Sequence, residues 1–341
     1  MKHFGSVITV LAAVILVVAL TATDASSESE RAVTLKFGTW WPTVHVMNNV
    51  MERWAKEIET STEGKIKVKY FPGGTLLNAK TGLDNLSSGI ADLASISGLL
   101  FPGQLPSFQV GSMPFLFSSA THATNSLNEM IPTYFERECE VNNIKLLSVF
   151  TPPILQFIST KQIRDVDDLK GLRIRSHGRS DEMLRLLGAI PIGLPPGELY
   201  TSLQRGIVDG VLFPLSASKA FKLQEICKHV TVADLYVSNV LLAMNLDIWK
   251  RLPKDIQEEI HKTAIKTANE AASAYDKSEV ASYDVFKKAG AIIYKLPDNE
   301  KARWGKIIAP AVDNWVNENK SKGLPAQEML DRLGKLSEKY K

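Results

Sequence analysis

The sequence is poor in the residues that mark a specialised scaffold. Two cysteines in 341 residues, Cys139 and Cys227, exclude a disulfide-built domain. They also lack the partner spacing of a zinc site. Neither charge sign dominates: 40 Lys and Arg face 37 Asp and Glu, leaving +3 with no basic stripe, which argues against nucleic acid. The six histidines include no pair at i, i+4. Gly-x-Ser-x-Gly, the phosphate loop, Gly-x-Gly-x-x-Gly and His-Glu-x-x-His are all missing. Nothing therefore calls for an enzyme, a metal or a cofactor. There is no low-complexity tract, and a hydrophobic content of 45% with 23% charged residues belongs to a globular chain of one large or two ordinary domains.

Long apolar runs are confined to the N-terminus. Met1-Lys2-His3 is a basic start, Val7 to Leu20 is apolar apart from Thr9, and residues 21–25 supply small side chains. That is the layout of a signal peptide cleaved near Ala25. The run is shorter than the roughly 20 residues that span a bilayer. An exported protein is expected. In that compartment Cys139 and Cys227 are either joined or two unpaired side chains in or near helices, and spacing alone does not choose.

Past residue 32 the pattern is α/β. Val33, Leu35 and Phe37 alternate as in a strand, and Met47, Val50, Met51, Trp54 and Ile58 recur at helical spacing. Ile66, Val68 and Tyr70 alternate again, and Pro72-Gly73-Gly74 turns the chain. A helix over about 76–88 and a buried strand over Ile90 to Ile96 follow. The β-α-β-α-β order predicts a mostly parallel sheet. Leu-x-x-Gly-Ile-x-Asp then occurs twice, at 86–92 and 203–209, each time where a helix would end on Gly before a strand. Two similar lobes are the economical reading. Lys254 to Lys288 contains no Pro or Gly and predicts a helix of about 50 Å, long enough to brace both lobes, although a break near Ser278 is equally allowed. Residues 299–341 read as charged helix packed on the outside.

Asp167-Asp168 reads as a helix cap rather than an acid–base pair. Arg175 ends a predicted strand, Leu172 to Arg175, before Ser176-His177-Gly178. Ligands of open α/β sheets bind beyond strand carboxyl ends, and a guanidinium matches a carboxylate bidentately. The residue is either that or an ordinary surface arginine.

Four segments carry a resemblance. Asp168–Arg175 resembles the DLKGLKIR signature of TRAP transporter solute-binding proteins, and Met113–Phe117 resembles that family's LPFLF segment. Glu198–Gly210 is similar to its E-x-Y-x-x-L-Q-x-G-x-V-D-G stretch, and Trp249–Pro253 to its W-x-x-L-P. The four occur in order across nearly the whole chain after residue 25. The resemblance implies a two-lobed, type II-like periplasmic binding protein with a long helix bridging the lobes. It implies capture of a small organic acid and delivery to the small and large membrane subunits of a TRAP permease, by a monomer. It assigns the ligand carboxylate to Arg175. The expected division is lobe I over 26–150 plus about 241–275, lobe II over 151–240 plus about 276–330, and a tail over 331–341, with hinges near 150 and 240.

Two departures from the family pattern refine the ligand. Leu212 and Phe213 stand where many members have Glu-Asn, and Ile154 or Leu155 stands where many have a second arginine. A second ligand carboxylate would be buried without a partner, at a cost of several kcal/mol. A monocarboxylate with an apolar or aromatic body is expected. Trp40 and Trp41 are placed to stack on that body or to serve as lobe core, and His45 to bond it or to start a helix. Ser97 and Ser95 are weaker candidates, and Phe157 and Asn245 weaker still. Two other classes remain: a partner presenting ligand to a membrane sensor, separable by neighbouring genes, and an exported enzyme acting on a carboxylic acid, which turnover would reveal.

Overall fold

A computed structural model describes residues 32–43, 45–176 and 180–341. The signal-peptide expectation and His177-Gly178 lie outside these residues. The alternating segments form two sheets. The first contains β1 (Val33–Gly38), β2 (Ile66–Phe71), β3 (Leu93–Ser97), β4 (Ile144–Phe150) and β10 (Val240–Asn245), in the order β2-β1-β3-β10-β4. The second contains β5 (Gln156–Ser159), β6 (Arg173–Ser176), β7 (Ile190–Gly193), β8 (Gly210–Phe213), β9 (His229–Val232) and β11 (Ile292–Lys295), in the order β11-β9-β5-β8-β6-β7.

Most pairs that helices connect are parallel: β1 with β2 and β3, and β6 with β7 and β8. A mostly parallel sheet was expected, but each sheet also holds one antiparallel strand. β10 runs against β3 and β4, and β5 runs against β8 and β9. Both are reached by short extended crossings from the other sheet, at 151–155 and 233–239. No helical crossover turns them parallel.

The repeated heptapeptide marks equivalent places. Gly89 and Gly206 adopt φ of 77° and 65°, which a side chain would disfavour, and the chain then turns into β3 or β8. Asp92 Oδ2 accepts the Lys36 amide at 2.7 Å, and its own amide donates to the Lys36 carbonyl at 2.9 Å. Asp209 repeats this with Arg173, at 3.0 and 2.7 Å. The predicted helix over 76–88 shrinks to Gly82–Ser87. Asn78 Oδ1 accepts the amides of Lys80 and Thr81, a local turn that outcompetes helix. Ile90 is exposed, and its strand begins at Leu93.

The helix Lys254–Lys288 runs unbroken for 35 residues, without the break allowed at Ser278. Ile256, Ile260, Ala264, Ala268, Ala271 and Tyr275 pack into the first sheet's core, and Phe286 packs into the second's. Two further helices, Asp298–Ser321 and Ala326–Tyr340, are not merely external. Trp304 and Ile308 are buried with the second sheet, while Trp315, Met329, Leu333 and Leu336 are buried with the first. The expected tail over 331–341 is thus part of a core helix, because its apolar residues repeat every three to four positions. Cys139 and Cys227 are free, and each is buried in the core of a different sheet.

Candidate functional site

β6 delivers Arg175 to its carboxyl end, in register with Ile192 and Val211. The residue is only 4% exposed, so it is not an ordinary surface arginine. Its Nε donates to the Leu194 carbonyl at 3.1 Å, and its guanidinium carbon lies 5.2 Å from the centre of the Phe213 ring. Nη1 is buried with no hydrogen-bond partner, and Arg175 forms no ion pair among the described residues. Burial lowers its pKa, opposed by the charge influence of Tyr236 and Asp181. Asp181 is itself engaged by Ser176 Oγ at 2.5 Å. Burial pushes the Tyr236 phenol up to about 12, against a hydrogen bond with Ser180. A carboxylate beside such a desolvated cation would offset a burial cost for which the described residues supply no ion pair.

β1 is the counterpart of β6, and its carboxyl end carries the tryptophans. Gly73 and Gly74, at φ of 73° and 78°, fold back so that their amides donate to the carbonyls of Trp41 and Thr39, both at 3.0 Å. Trp40 and Trp41 have ring centres 5.0 Å apart, and Trp41 stacks on His45 at 5.9 Å. Phe150 and Tyr275 close the group. Trp41 is buried in the first sheet's core. Trp40 is half-buried with an unpartnered Nε1. His45 starts a helix: its Nδ1 accepts the Met47 amide at 3.3 Å, capping Val46–Ser61, and burial lowers its pKa.

The other sequence candidates separate. Leu212 was expected beside Phe213 on the ligand side, but neighbouring strand residues face opposite ways. Phe213 shares a face with Val211 and Arg175, whereas Leu212 is 0% exposed in the core beneath. Ser97 ends β3 opposite Val240, and Ser95 Oγ is buried without a partner. Phe157 packs edge-on against Trp304, and Asn245 caps the helix Leu246–Arg251. Ile154 and Leu155 are buried within the crossing 151–155. The sequence reading missed Tyr236 and Leu194. Both lie in irregular segments far from Arg175 in the chain, where no periodicity singles them out.

A profile described as "Bacterial extracellular solute-binding protein, family 7" matches residues 37–319. The fold is similar to a TRAP periplasmic solute-binding protein from Desulfovibrio salexigens, with a TM-score of 0.85, 28% identity, and coverage of 91% of this chain and 97% of that one. It is also similar to a marine metagenome TRAP solute-binding protein specific for aromatic acid ligands, in complex with 3-hydroxybenzoate. There the TM-score is 0.80 and the identity 25%, over 91% and 99% of the two chains. A curated relative, the C4-dicarboxylate-binding periplasmic protein DctP of Rhodobacter capsulatus, is 26% identical over 290 residues, 81% of this chain and 80% of that protein. Two sheets joined by paired crossings, a bracing helix and a matching profile over most of its length make this chain a TRAP transporter solute-binding protein of bacterial extracellular family 7.

Proposed function

We propose that the protein captures a monocarboxylate with an apolar or aromatic body between its lobes, in the periplasm, and hands it to a TRAP permease as a monomer. The observation that carries this reading is the buried Arg175, with Nη1 unpartnered and Phe213 beneath the guanidinium. The carboxylate pairs with Arg175, the ligand body meets Phe213 and Trp40, and the lobes close about the crossings at 151–155 and 233–239. Ligand shifts that equilibrium only by its affinity difference between open and closed forms. No second buried cation without a partner accompanies Arg175 among the described residues, which favours one carboxylate over two. The similar protein specific for aromatic acids supports this class, whereas the C4-dicarboxylate relative represents the competing one.

The test is a thermal-shift and calorimetry screen of residues 26–341. Aromatic and branched monocarboxylates are expected to raise the melting temperature. A ligand at 100 times its Kd adds about 2.7 kcal/mol. A response to dicarboxylates or sugar acids alone overturns the ligand class and leaves the family intact.

A further inference from the structure

The long helix passes from one lobe to the other within a single turn, and two carboxylates on that turn join them. Asp276 Oδ1 and Oδ2 accept the amides of Ala120 and Thr121, at 2.8 and 3.0 Å. These amides open the helix Ala120–Asn128 beside the first sheet. Three residues on, Glu279 Oε1 and Oε2 accept the amides of Leu215 and Ser216, at 2.9 and 3.0 Å. These open the helix Leu215–Ala220 beside the second sheet. Each carboxylate takes two of the amides that a helix start leaves unpaired, at the positive end of its dipole. Spaced i, i+3, the two side chains share one face of the long helix.

Both contacts lead to parts that a closing motion must involve. The Ala120 carbonyl accepts Thr151 Oγ1 at 2.8 Å, and Thr151 opens the crossing between β4 and β5. Leu215 follows Phe213-Pro214 directly, and Phe213 underlies the Arg175 guanidinium. Glu279 is therefore linked to the Arg175 guanidinium through Leu215, Pro214 and Phe213.

We propose that Asp276 and Glu279 are positioning residues that fix the angle between the lobes and tie Arg175 to it, so that they set ligand affinity without touching ligand. The effect on affinity rests on the Arg175 reading, but the effect on lobe geometry does not.

The test places nitroxides at exposed helical positions on the two lobes, by Lys56→Cys and Arg185→Cys, with the buried native cysteines left unlabelled. Pulsed electron paramagnetic resonance then reads the interlobe distance, with 3-hydroxybenzoate as the titration probe. Glu279→Ala and Asp276→Ala are expected to broaden or shift the ligand-free distribution. Glu279→Ala should also raise the probe's Kd about fivefold, the scale of one lost helix cap. Glu279→Gln keeps an acceptor and should fall between. An unchanged distribution in both alanine variants overturns the proposal. Should either alanine variant fail to fold, Glu279→Gln decides: a distribution identical to wild type counts against the proposal. If the probe does not bind wild type, the ligand reading fails alone, and the distances still decide the role of the pair.

Discussion

The guanidinium of Arg175 sits 5.2 Å from the ring centre of Phe213, and the two residues come from adjacent strands on one face of the second sheet. The ring supports the cation from beneath and leaves Nη1 unpartnered. Arg175→Ala is therefore expected to weaken ligand binding by at least about 1.5–3 kcal/mol, read by calorimetry. Arg175→Lys should rescue little, because an ammonium cannot form the two-pronged contact. Arg175→Met should melt no lower than ligand-free wild type, since it removes a buried unpaired charge. A large drop in its melting temperature would mean that the residue serves the fold rather than the ligand.

Phe213→Ala is expected to weaken binding of an aromatic acid by about 1–3 kcal/mol, through lost contact area and lost support of the cation. Leu212→Ala should instead lower the melting temperature and leave Kd nearly unchanged, because that side chain is core. Equal effects on Kd would contradict the opposed faces seen here.

Burial alone would raise the Asp209 carboxyl, but the Arg173 side chain and amide, together with Lys161, hold it down at about 2. A lowered carboxyl stabilises the fold above its unfolded pKa and loses that contribution as pH falls toward 2. Melts between pH 5 and 2 should thus show an acid loss that Asp209→Asn makes shallower, starting from a protein already less stable by about 1–3 kcal/mol. Parallel wild-type and variant curves would refute this.

Glu138 has the opposite sign. Burial pushes its carboxyl up to about 7, despite hydrogen bonds donated by the Ser107 amide and hydroxyl. A raised carboxyl stabilises the folded state below the unfolded pKa and loses that contribution as pH climbs through 7. Wild type should melt higher at pH 5 than at pH 8, and Glu138→Gln should flatten the difference. No slope in wild type over that range would count against the buried, protonated state.

Cys139 and Cys227 lie in separate cores, and burial raises both thiols, that of Cys227 to about 12. Maleimide should label neither until the protein is denatured, and then both. Failure to label two thiols in denaturant without reductant would reveal a disulfide.

Much of this was legible in the chain because it depends on local spacing. The helix over Lys254–Lys288 follows from a run without Pro or Gly, and the twin Leu-x-x-Gly-Ile-x-Asp segments follow from a turn that needs Gly at positive φ. The place of Arg175 at the end of a strand was legible from the alternation of Leu172 to Arg175. The Leu194 carbonyl that accepts Arg175 Nε and the Tyr236 phenol that acts on its charge were not, since both lie in irregular segments and sequence distance carries no sign of the approach. Leu212 was misread because adjacent positions were treated as sharing a face.

The sequence by itself therefore determined the α/β elements, the two-lobe repeat and the family, all of which rest on periodicity and short motifs. Only the tertiary structure decided that each sheet takes an antiparallel strand, that the C-terminal helix is core, and that Asp276 and Glu279 reach opposite lobes. These depend on where distant segments meet, and burial energy settles that over the whole chain rather than within any window of it.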